Sequence, residues 1–151
     1  MVEAQTLSQD DKIFGALSHA AAFLPMTGIV IPALIWVVHH EKSEYIRQQS
    51  LQALTWQLFQ ICLLFGGIAV YVAISYLTFG AAFVSAFLMM EVASLLAFLS
   101  GFFAPFCVIG FLILFLSFTT IISIYATLRS IQGYDFTYPF IGQRTRAYLA
   151  K

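Results

Sequence analysis

Charge is what this chain has least of. Seven of its 151 residues are Lys or Arg and seven are Asp or Glu, 9% in all, against about 25% in an ordinary soluble domain. A soluble chain this poor in charge cannot cover its own surface, so part of its solvent has to be lipid. An excess of either sign is missing too. The formal net charge is zero, and no basic patch with interleaved aromatics occurs, so nucleic acid is not an expected partner. The two cysteines, Cys62 and Cys107, lie far apart inside apolar runs and read as small buried hydrophobes, not as a disulfide framework. Phosphate-binding loops, dinucleotide fingerprints, nucleophile elbows and Ser-His-Asp arrangements are absent. Gly66 and Gly67 have no lysine after them and read as a helix-packing pair. No catalytic residue, cofactor or metal site is expected, and the chain is not expected to be an enzyme. The opening "MVEAQTLSQDDK" lacks the basic start of a signal peptide, so the first apolar segment is expected to stay as a membrane anchor.

What is present is apolar and aromatic: 61% hydrophobic residues, with sixteen Phe. Residues 13–38, 48–90 and 92–128 carry no charge at all. A spanning helix needs roughly 20 apolar residues, so these stretches hold four segments, at about 13–38, 51–77, 80–101 and 105–128, with the tail 129–151 at the membrane surface. The expected fold is all-α, a polytopic transmembrane helical bundle forming a single membrane domain. Ser8 or Asp10 is placed to cap the first helix, and Pro25 and Pro32 predict that it is kinked or broken. "SGFFAPF" at 100–106 reads as a turn, with Gly101 and Pro105 as breakers. Glu91 then falls near the middle of the third span. A central charge costs roughly 2.5–3.5 kcal/mol, whereas each Leu, Ile, Phe or Val returns roughly 0.3–0.6. Twelve such residues surround it, so the span survives. If 79–103 instead folds back at the surface, three spans remain. With four spans Lys12, Arg129, Arg144, Arg146 and Lys151 share one side against Lys42 and Arg47. That count places both termini in the cytoplasm and the protein in the inner membrane. With three spans the division is six to one and the N-terminus lies outside.

The densest polar stretch is "HHEKSEYIRQQSLQ", residues 39–52. His39 and His40 diverge on a helix and do not suit one ion. His19 lies about twenty residues before them, roughly 30 Å along a straight helix. Glu44 and Arg47 are three apart and can pair in a first helical turn. Tyr45, Gln49, Gln52, Trp56, Gln60, Gly67 and Tyr71 fall on one side of a helical wheel. This polar stripe should face neighbouring helices or an aqueous vestibule, because amides in lipid need partners. His19 and Glu91, ionisable groups in apolar segments, are candidates for a proton relay or a solute contact, and the plainer expectation for Glu91 is a hydrogen bond to a neighbouring helix. In the tail, Gly133 suits a helix C-cap. Tyr134, Phe136 and Tyr138 alternate as in an extended strip at headgroup level. Pro139 forbids helix across Tyr138, and Arg144, Arg146 and Lys151 suit anionic lipid.

Three motifs, "ALSHAAAFLP", "IPALIWVVHHEKSEYIRQQSLQALTWQ" and "ATLRSIQGYDFTYPFIG", carry a family resemblance over about 11–143. The chain resembles small prokaryotic membrane proteins of uncharacterised function. Those are related to the channel-like subunit of the chloroplast inner-envelope protein translocon (Tic), and magnetosome membrane proteins of the MamF type look like members. The matching positions are His19, Pro32, Trp36, Glu44, Arg47, Gln52, Ala53, Gln57, Gly133, Tyr138 and Pro139. The resemblance implies an α-helical integral membrane protein without known catalysis. The translocon relative implies a role in protein passage or assembly. Shorter members suggest three spans, and the long 79–103 region departs from them. The expected function is a structural or assembly component of a membrane complex, in contact with lipid, copies of itself or other membrane proteins. The alternative is a small channel or transporter using the glutamine stripe and Glu91.

Overall fold

The computed structural model describes residues 7–24, 27–139 and 141–149. All regular structure among them is helical. Helix α1 is Gln9–Ala20, followed by a 3-10 turn at Ala21–Phe23. Then come α2 at Val30–His39, α3 at Glu44–Phe87, α4 at Glu91–Ile131 and α5 at Gly142–Leu149. These residues fall into two compact units. One runs up to Ile61 and resumes from Phe118; the other is Cys62–Ser117.

In the first unit the leading apolar stretch is not one helix. Ser8 starts α1 with a capping box: its hydroxyl accepts from Asp11 N–H at 3.1 Å, and its own N–H donates to the Asp11 carboxylate at 3.1 Å. The chain then turns, and α2 packs back along α1, bringing the rings of Phe14 and His39 to 4.5 Å. Gly28 makes that turn possible, since a Cβ there would sit 1.9 Å from the carbonyl oxygen of Ala21. Pro32, expected as a breaker, lies in the first turn of α2, where a missing N–H costs little. The Gly28 carbonyl that it would leave unpaired accepts from Ile31 N–H at 3.2 Å instead. Pro25 lies outside the described residues. His19 and His39 are therefore not held at opposite ends of one long helix.

Serine 43 opens α3, its hydroxyl accepting from Ile46 N–H at 3.4 Å. The helix then continues for 44 residues, about 66 Å at 1.5 Å per residue. The break expected near 78–79 is absent. So is the turn expected at 100–106, because α4 runs through Gly101 and Pro105. An interior proline costs about 3 kcal/mol in water. In an apolar medium the backbone has no solvated alternative, and the helix persists.

The second unit is an antiparallel helical hairpin. Gly67 packs on Leu112, Gly101 on Thr78 and Phe79, and the Phe79 and Phe98 rings meet edge-on at 6.5 Å. The chain reverses at Leu88, Met89 and Met90. Met90 N–H donates to Ser85 O at 2.9 Å and Met89 N–H to Ala86 O at 3.1 Å. That is a Schellman ending with Met89, at φ 56°, in the left-handed position. Helix α4 ends the same way in the first unit. Tyr134 N–H reaches Arg129 O, Gly133 N–H reaches Ser130 O, and Gly133 has φ 79°.

Burial in this protein is inverted. The fully enclosed side chains include Ser18, His19, Gln49, Ser50, Gln52, Thr119, Ser123 and Ser130. Phe83, Phe87 and Met89 are 76%, 80% and 88% exposed. A water-soluble fold places these two sets the other way round.

The two helix endings make a test. A left-handed L residue costs roughly 1–2 kcal/mol. Gly133→Ala should therefore lower thermal stability in detergent by about that amount, whereas Met89→Gly should leave it unchanged or raise it. Circular dichroism melts of the two variants make the comparison.

Candidate functional site

The polar side chains inside the first unit converge on the segment after α4. Residues 134–138 have no regular structure and lie along α3. Each turn of α3 grips the segment once. The Tyr45 hydroxyl donates to the carbonyls of Ser130 and Tyr134 at 3.4 and 3.3 Å. Gly15 on α1 lets that ring approach, since a Cβ there would lie 2.9 Å from it. One turn later, the Gln49 amide donates to Asp135 Oδ1 at 2.6 Å and to Phe136 O at 3.3 Å. Another turn on, Gln52 Oε1 accepts from Tyr138 N–H at 3.2 Å. Trp56 then stacks on the Tyr138 ring at 4.6 Å and 17°. The stripe predicted on α3 exists, and its first four members hold the chain's own tail. There is no aqueous vestibule at those positions. Gln60 is half-buried further along. Gly67 and Tyr71 belong to the second unit.

His19 closes the arrangement from α1. Its Nδ1 lies 3.0 Å from the Tyr138 hydroxyl and its Nε2 lies 2.9 Å from Gln49 Oε1. Gln49 Oε1 can only accept, so Nε2 carries the proton. The neutral ring then accepts from Tyr138 at Nδ1. Phe136 and Tyr138 add edge contacts to the imidazole at 6.0 and 5.3 Å. Helix α4 makes room with Thr119, Ser123, Ala126 and Ser130, all fully buried on one face. Phe59, Ile122, Phe136 and Ile141 pack around Trp56, Ala126 and Tyr138.

At the surface end, Asp135 also accepts from Arg146 of α5. Burial raises the Asp135 carboxyl above its ordinary value, outweighing the opposing pulls of Arg146 and Gln49. The folded tail thus holds this proton more tightly than the unfolded chain does. The stabilisation is complete below the usual carboxylate range and is lost as pH rises through the raised value. Pro139 is exposed in the turn into α5, where Gly142 N–H reaches Tyr138 O at 3.0 Å.

The remaining candidates separate. Glu44 and Arg47 pair at 3.7 Å as spaced, on the surface, where such a pair contributes at most about 1 kcal/mol. His39 turns onto Phe14, and His40 stacks on Trp36 at 5.1 Å. No group of three His, Cys, Asp or Glu among the described residues is placed to hold a metal. Glu91 is not at mid-span. It is exposed in the first turn of α4, where a helix N-terminus favours negative charge. The expectation placed it in the middle because it put the turn at 100–106, whereas the reversal is at 88–90.

Sequence reasoning did not single out the small face of α4 or Asp135. Thr119, Ser123, Ala126 and Ser130 are spaced four, three and four apart. That spacing marks a helix face that another segment approaches closely.

A polar interior, an apolar exterior and two helices long and apolar enough to cross a bilayer define an α-helical protein of the membrane class. The sequence comparison narrows this. Residues 10–145 match the magnetosome magnetite crystal formation protein family (MamF_MmsF), and the chain belongs to it. No curated protein and no solved structure matches the chain.

The central contact is open to a double-mutant cycle. Tyr138→Phe leaves a buried His19 nitrogen unpaired, which costs about 1–3 kcal/mol. Adding His19→Phe removes the orphan, so the two losses should be clearly less than additive. Thermal melts of both single variants and the pair give the coupling.

Proposed function

We propose that this protein is a non-enzymatic structural component of the membrane in which magnetite crystals form. Its role is to assemble with lipid and with other membrane proteins, copies of itself included. The observation that carries the reading is the use of the polar interior. Gln49, Gln52, His19 and Tyr138 are committed to docking the tail, which leaves packing and assembly as what this core does. An assembly role of the translocon-subunit kind is part of the same proposal. The channel alternative has less support, because the glutamine stripe is filled and Glu91 is exposed.

The topology we propose has two crossings, α3 and α4, with α1 and α2 as a re-entrant pair that enters and leaves by one face. Three contacts support a common level for three parts of the chain. Asp11 near the start of α1 bonds to Ser43 before α3. Tyr45 bonds to the end of α4. The Lys12 stem lies against Gly133. Lys12, Lys42, Arg47, Arg129, Arg144 and Arg146 then all sit at one end, and Glu91 alone marks the reversal. That is a stronger charge asymmetry than either the four-span or the three-span arrangement gives, and it supports a cytoplasmic side for this end. The two long helices exceed a hydrocarbon core of about 30 Å, and tilt and overhang take up the excess.

Single cysteines at Ser43 and Met90, in a chain with Cys62 and Cys107 replaced by Ser, test the topology with an impermeant thiol reagent on intact cells. Position 90 should label and position 43 should not. The four-span arrangement gives the reverse.

The function is tested by deleting the protein from a magnetite-forming cell and restoring it. Deletion should change crystal size or number, and a tagged copy should surround the crystals. Restoration by a His19→Gln variant whose tail remains docked should succeed. Unchanged crystals after deletion contradict the proposal, and so does failure of a correctly folded His19 variant, which points to chemistry at the imidazole.

A further inference from the structure

A cavity of about 410 Å³ opens between the start of α1 and the end of α4, lined by Leu7, Gln9, Lys12, Ile13 and Ile131. It takes no part in docking the tail. We propose that it is a binding site for one anionic phospholipid.

Its chemistry is split as such a ligand is split. Lys12 and Gln9 supply a cation and an amide at the polar end. Ile13 and Ile131 form an apolar wall, each about half exposed. About one turn from these along their own helices, Leu17 on α1 and Leu128 on α4 are also exposed. A headgroup at Lys12 would thus send its acyl chain along aliphatic side chains toward the bilayer. The volume suits a headgroup with the first part of a chain, within the roughly 300–1,000 Å³ of small-ligand sites.

The charge at the site is available. Among the described residues the ion pairs are His40 with Glu41, Arg47 with Glu44 and Arg146 with Asp135, and none involves Lys12. The neighbouring carboxylate of Asp11 is occupied by Ser8 and Ser43. The Lys12 stem lies over Gly133, where a Cβ would come within 2.8 Å of its Cε, so the bare glycine gives the side chain its course. A zwitterionic headgroup brings its own cation to this ammonium, whereas a phosphoglycerol headgroup does not. The site should therefore prefer the anionic lipid, by about fivefold for one lysine near the surface.

The inference rests on the proposed topology for the site's place at the anionic leaflet. Binding in detergent does not depend on orientation, so the lipid measurement and the cysteine labelling fail independently.

The test uses the full chain in mild detergent, titrated with phosphatidylglycerol or phosphatidylcholine and read by native mass spectrometry. One tightly held phosphatidylglycerol per chain is expected, with about a fivefold preference over phosphatidylcholine. Lys12→Gln should abolish the preference. Ile131→Trp, which fills the cavity without changing charge, should remove the tightly held lipid. Lys42→Gln, a lost charge at the same end but outside the cavity, should leave both intact. Equal weakening by Lys12→Gln and Lys42→Gln would mean diffuse attraction and overturn the proposal, as would retention of the bound lipid by Ile131→Trp.

Discussion

A hydrogen-bonding group in lipid has no water to fall back on. Each one must find a partner within the protein, at a cost of several kcal/mol if it fails. The first unit is organised around this constraint. Four residues of α3, one of α1 and a small-residue face of α4 hold the extended segment 134–138, whose end, Tyr138, is buried. Such a segment cannot satisfy its own backbone as a helix does. The glutamines do so from outside: one amide donates to Phe136 O, and another accepts from Tyr138 N–H. His19 and Tyr138 then satisfy each other.

Several other features follow from enclosing that segment. Gly133 ends α4 in the left-handed conformation that turns the chain back along α3. Gly15 is bare so that Tyr45 can reach the end of α4. Thr119, Ser123, Ala126 and Ser130 are small because the tail passes over them. The turn at Gly28 folds α1 and α2 together, and His19 reaches the tail from α1.

Much of this was legible in the sequence. The charge-free runs marked the apolar helices, the spacing of Glu44 and Arg47 gave their pair, and Gly133 announced a helix end. The stripe from Tyr45 to Trp56 was visible as periodicity, and so was the extended run from Tyr134 to Tyr138. Their meeting was not, because partners 86 residues apart leave no local signal. The turns were misplaced for a related reason. Gly101 and Pro105 are breakers by propensity, yet apolar surroundings hold them in helix. Met89 carries no turn signal and still takes the left-handed position. With the reversal assigned to 100–106, Glu91 seemed to lie within a span, whereas it sits at the reversal itself.

The central claim is that the glutamine stripe of α3 holds the tail of its own chain. Replacing Gln52 with a photoreactive benzoyl-phenylalanine and illuminating native membranes tests it most directly. The account predicts an intrachain cross-link to the peptide around Tyr138, abolished when the tail is truncated after Gly133. Cross-links to lipid, or to a second chain in place of the first, would contradict it.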